Sequence, residues 1–133
     1  MKAACKKARQ AYSKCRREST DEHFHELRKS VKDLWYDLCL LGGNRPPVIK
    51  RLTKKLRELG QRLGDDHDFA LLLAARNENP LPDPADWEKV TAAIAYRRLR
   101  LQRAALRLAA DALARKPGAF ADFVLDRWNA WRD

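Results

Sequence analysis

Apolar residues recur at steps of three and four along almost the whole chain. Phe24, Leu27, Val31, Leu34, Leu38 and Leu41 make one such stripe; Val48, Leu52, Leu56, Leu59 and Leu63 make another. No alternating β-branched run interrupts them. The pattern predicts an all-α chain, an antiparallel helical bundle of four to five helices in one domain over residues 1–133. The first helix covers roughly 2–17, with Ala4, Ala8, Ala11, Tyr12 and Cys15 inward. Ser19-Thr20-Asp21-Glu22 has capping-box spacing and opens the second helix, which runs to about Leu41, where Gly42-Gly43 stop it. Pro46-Pro47 open the third, since proline's missing N–H costs nothing there. Gly60 and Gly64 weaken that helix near its end. The apolar spacing then resumes through Phe69, Leu72 and Leu73 to about Arg76, so Gly64-Asp65-Asp66 either kinks or breaks the rod. Asn77 to Pro84 reads as a loop with alternating prolines. Asp83 is a good N-cap for a fourth helix that runs to about Ala114. Pro117 begins a short last helix with Phe120, Phe123, Val124, Trp128 and Trp131 on its apolar side.

The polar positions carry a lopsided charge. Residues 1–64 hold 17 Lys and Arg against 7 Asp and Glu, whereas residues 65–133 hold 11 against 11, so the whole net +10 lies in the first half. Such asymmetry points to a polyanionic partner. Neither a signal peptide nor an apolar stretch of membrane length is visible, which favours a cytoplasmic chain with no membrane partner. Cys5, Cys15 and Cys39 cannot all pair with one another, and no C-x-x-C motif is present.

Read as a helix, His25, Arg28, Lys29 and Lys32 stand at i, i+3, i+4 and i+7 on one side of the rod. Arginine offers a planar donor fork and lysine a mobile point charge, both suited to repeated tetrahedral anions. The bland alternative is a solvated face whose Arg28 and Lys29 pair with Glu26 or Asp33. On the third helix Arg51, Lys54, Lys55 and Arg62 read as sharing a side, broken by Glu58. The fourth helix adds Arg97, Arg100, Arg103 and Arg107. If these faces converge they form a groove of overlapping positive potential. Trp35, Trp87, Trp128 and Trp131 suit packing, which leaves Tyr36 as the aromatic able to join the basic stripe.

Catalysis finds little support. His67-Asp68 is the kind of pair that metal-dependent phosphohydrolases use, but His23, His25 and His67 are the only histidines and His23 and His25 diverge on a helix. No metal, cofactor or catalytic residue is therefore expected. Asp65, Asp66 or Asp68 instead caps a helix turn or orients a basic side chain, with His67 structural.

His25-x-x-Arg28-Lys29-x-x-Lys32-x-x-Trp35-Tyr36-x-x-x-x-Leu41 resembles the CHAD domain, the α-helical domain named for its histidines. Leu59-x-x-x-Leu63-Gly64-Asp65-Asp66-His67-Asp68 is similar to that family's second signature, and Lys116-Pro117-x-Ala119-Phe120 with Trp128-x-x-Trp131 to its tail. The resemblance implies an all-α, non-catalytic module that binds inorganic polyphosphate along a basic surface. Such domains often sit beside triphosphate-tunnel domains and are linked to polyphosphate granules. By position it assigns binding to His25, Arg28, Lys29, Lys32 and His67. Tyr36, Arg51, Lys54, Lys55, Arg62, Arg97 and Arg100 join them on the strength of helical faces alone. A full CHAD domain looks like two related halves around a basic channel, and this chain resembles the second half. Either it is a fragment, or a homodimer or a second CHAD half supplies the other wall. The rival readings are a nucleic-acid binder, a phosphohydrolase built on His67 and Asp68, and an adaptor docking an acidic protein.

Overall fold

A computed structural model describes residues 1–78 and 83–133. Five helices are present among them and no strand: α1 (Lys2–Arg17), α2 (Asp21–Cys39), α3 (Pro47–Glu78), α4 (Pro84–Ala112) and α5 (Pro117–Arg132). The proline-rich loop expected over 77–84 begins two residues later than the sequence suggests, because α3 runs on to Glu78, and its centre lies outside the described residues.

Local chemistry sets the helix ends. The Thr20 hydroxyl accepts from the His23 amide at 3.1 Å and caps α2. Ser19 turns back instead and donates to the Cys15 carbonyl at 2.9 Å. α2 stops two residues before the predicted Leu41, and Gly42 takes the left-handed conformation at φ +89 that a side chain would resist. The Asp83 carboxylate accepts from the Ala85 amide at 3.0 Å at the start of α4.

Gly64-Asp65-Asp66 does not break the rod: α3 is continuous through it, and neither Gly60 nor Gly64 has a positive φ. Asp65, Asp66 and Asp68 therefore cap nothing.

α1, α2, α3 and α4 pack as successive antiparallel neighbours, and α5 crosses back over α1 and α3. The register between α3 and α4 is marked by Lys55 against Asp111, Asp66 against Arg98, and Arg76 over Trp87. One contiguous core runs through the helices. Leu27, Leu34 and Leu38 of α2 and Leu56 and Leu59 of α3 are fully buried in it, each contributing about 1.5–3 kcal/mol of transfer free energy. Alanines at 105, 109 and 112 let α4 approach closely. Arg9 ties α1 to the far end of α4, its Nη1 donating to the Leu113 and Arg115 carbonyls at 2.6 Å each. Phe120 and Val124 anchor α5, but Trp131, expected on its apolar side, stays 47% exposed. No described helix is long and apolar enough to cross a membrane.

Candidate functional site: the basic groove between α2 and α3

α2 and α3 run antiparallel, and their facing residues pair in a steady order. His25 stacks on His67 at 5.0 Å between ring centroids, Arg28 lies over Gly64, and Trp35 sits beside Arg57. Outside the buried seam the two helices leave a groove. One part, a cavity of about 380 Å³, is lined by Arg28, Lys32, Trp35, Arg57, Gly60 and Gly64, with Asp65 and Asp68 at one side. A second cavity of about 220 Å³ continues past Trp35 and Arg57 to Lys50, Lys54 and Arg45. From Arg28 to Cys39 the trough follows α2 for about 17 Å, at 1.5 Å per residue.

The glycines of α3 acquire a physical role here. An added Cβ at Gly64 would meet the Arg28 guanidinium at 3.4 Å to Nη2 and 3.6 Å to Cζ. Gly64 is thus a slot in which the guanidinium lies against bare backbone. A methyl group would just touch it, and anything larger would displace it. A mid-helix glycine costs about 1 kcal/mol relative to alanine. α3 carries two of them, Gly60 and Gly64, and both line the groove.

The groove's cations are unspent. Among the described residues Arg28, Lys32, Lys50, Lys54 and Arg57 form no ion pair. The bland reading holds for Lys29 alone, which pairs loosely with Glu26 at 3.6 Å, both exposed. Trp35 and Leu56 give the trough a low-dielectric lining, which strengthens the potential of the cations above it.

At the histidine end the carboxylates are consumed by structure. Asp66 is buried, 2% exposed, and accepts from Arg98 Nε at 2.9 Å and from Gln102 Nε2 at 3.2 Å. Arg98 also donates to Asp21 of α2. Burial disfavours the Arg98 charge, but hydrogen bonds and the fields of Asp66 and Asp21 outweigh it, and its pKa rises above the ordinary arginine value. Asp66 therefore orients a basic side chain, one of the roles expected for this acidic run. His23 points elsewhere, its ring N–H donating to the Glu18 carbonyl at 2.6 Å. Among the described residues no group of three or more His, Cys, Asp or Glu side chains could hold a metal ion.

The expected site residues divide. Arg28, Lys32 and Lys54 line the groove, whereas His25 and His67 stack one turn beyond Arg28 and line a separate small cavity with Asp66 and Arg98. Lys29 does not line the groove: about 100° on from Arg28, it keeps the register of Asp33 and Tyr36 on the side of α2 toward α1. Arg51, Lys54, Lys55 and Arg62 do not share a side: Lys54 turns toward α2, whereas Lys55 turns toward α4 and pairs with Asp111. Consecutive residues differ by about 100° on a helix, and Arg51 and Arg62 keep the register of Lys55. Tyr36 is 61% exposed but faces α1, beside Met1, Ala4, Lys7 and Asp37, so the groove aromatic is its neighbour Trp35. Arg97 and Arg100 do not line the groove either; they are exposed on α4, which is separated from α2 by α3. The three basic faces therefore do not converge on one trough. Sequence reasoning missed Lys50, Arg57 and Arg45. Stepping from Lys50 to Lys54, Arg57 and Gln61 by four, three and four residues would have found the α3 wall.

Comparison with family models matches the CHAD domain over residues 1–77, which is more than half of the chain and takes in α1, α2 and nearly all of α3. Comparison with curated proteins and with solved structures finds no match. The chain belongs to the CHAD domain family, and both walls of the groove lie inside the matched segment.

Proposed function

We propose that this CHAD-family chain binds inorganic polyphosphate in the α2–α3 groove and acts as a non-catalytic binding module. The observation that carries the reading is the run of unpaired cations along the trough: Arg28, Lys32 and Arg57 in one part, Lys54 and Lys50 in the next. Lysine and arginine on both walls of a narrow channel suit a flexible linear anion with a charge on every unit. Arg28, held against Gly64, presents its donor fork in a fixed direction, and the exposed lysines follow the chain as point charges. Binding is chiefly electrostatic and therefore falls steeply with salt.

Nucleic acid is the nearest alternative ligand. The groove favours polyphosphate because it offers a single half-buried aromatic, Trp35, and no row of exposed rings for bases to stack on. The test is a competition assay at physiological salt. Long-chain polyphosphate should displace single-stranded DNA at far lower phosphate concentration than the reverse. Equal or inverted displacement would assign the groove to nucleic acid.

A further inference from the structure

Between Glu88 and Asp111, α4 carries five arginines and no acidic residue. Arg98 points inward to Asp66 and Asp21. The other four, Arg97, Arg100, Arg103 and Arg107, are all exposed, while Leu101, Ala105 and Ala109 on the opposite side of α4 are buried. Steps of three, three and four residues keep these four within about a third of the helix circumference, along about 15 Å of its axis. None of the four forms an ion pair among the described residues. Arg100 lies over the Tyr96 ring at 5.9 Å. A face that served only solubility would interleave acids with its bases, as the first turns of α4 do with Asp86, Glu88 and Lys89.

This face and the groove cannot act as one channel. α4 packs on α3 and α1, and its backbone does not approach α2, so α3 stands between the two basic surfaces. We propose that the outer face of α4 is a second, independent site for a linear polyphosphate strand, and that the chain bridges two strands. The proposal rests on the groove reading above and extends it from capture to cross-linking. Two sites on one rigid unit convert binding into condensation, because each protein then joins neighbouring strands.

The test compares three proteins: the wild-type chain, R97Q/R100Q/R103Q/R107Q, and R28Q/R57Q. Two readouts are used: stoichiometry with a linear polyphosphate shorter than the groove, and turbidity with long-chain polyphosphate. The wild type should bind two short chains and turn long-chain solutions turbid. The fourfold α4 variant should bind one short chain and lose the turbidity, with unchanged helical content by circular dichroism. R28Q/R57Q should keep the α4 strand and also lose the turbidity. A wild-type stoichiometry of one, or undiminished turbidity in the fourfold variant, would overturn the second site. Unchanged binding in R28Q/R57Q alone would instead overturn the groove and leave the α4 face standing.

Discussion

Removing two groove cations should change how binding depends on salt more diagnostically than it changes affinity. Arg28 and Arg57 stand on opposite walls of the same cavity, and neither has a carboxylate partner among the described residues. Each phosphate neutralised on a flexible single strand releases about 0.7 counterion. If Arg28, Lys32, Arg45, Lys50, Lys54 and Arg57 all engage, the slope of log K against log salt is about −4. A fourfold rise in salt then weakens binding by roughly 300-fold. In R28Q/R57Q the slope should flatten to about −3, and the same rise in salt should cost only roughly 50-fold. At low salt the double variant should bind about tenfold more weakly, since solvent-exposed charge contacts contribute up to about 1 kcal/mol each. The assay is fluorescence anisotropy of end-labelled polyphosphate at four or more salt concentrations, with both proteins carrying R97Q/R100Q/R103Q/R107Q so that only the groove is read. Slope is the decisive quantity, because partial misfolding lowers the active fraction without altering it. A slope in R28Q/R57Q equal to that of the wild type would refute the placement of the ligand between α2 and α3.

Other consequences follow from the same geometry. Asp68→Asn removes a carboxylate from the cavity lining and should tighten polyphosphate binding a few-fold, read in the same anisotropy assay. Gly60 has nothing within 4 Å of an added Cβ, so Gly60→Ala should stabilise the fold by about 0.5–1 kcal/mol in urea denaturation. Asp66→Asn should destabilise by about 2–3 kcal/mol, because it leaves Arg98 without its buried charge partner. Burial pushes the Cys15 thiol from 9.0 up to about 11 and raises Cys5 as well. The folded values lie above the unfolded ones, so this contribution is intact below about pH 9 and is lost as pH rises toward about 11. Urea midpoints measured across that window should fall, and in Cys15→Ala the fall should be smaller.

The helices were legible because burial writes a period into the sequence. Every leucine of the α2 stripe from Leu27 to Leu38 is in the core, and the three helices α3, α4 and α5 begin where the prolines stand. Gly64 misled, because glycine weakens a helix on propensity alone, whereas here it is tolerated for the close approach of Arg28. That approach depends on a residue 36 positions away, which no local pattern contains. The basic motif on α2 was readable for the same reason as the core, by spacing. The α3 wall was not, because Lys54 and Lys55 are adjacent in sequence yet 100° apart on the rod, so charge clustering merged two faces. Tyr36 and Trp35 were exchanged by the same one-residue error. Asp66 could be recognised as an orienting group, but its partner Arg98 could not, since that choice depends on how α4 docks.

The most direct measurement of the central claim is a heteronuclear NMR titration of the labelled chain with short polyphosphate. Binding in the groove predicts that the Trp35 indole N–H and the Gly60 and Gly64 amides shift together, along with their neighbours on α2 and α3. Shifts confined to α1 and α5, with those three signals unmoved at saturation, would contradict it.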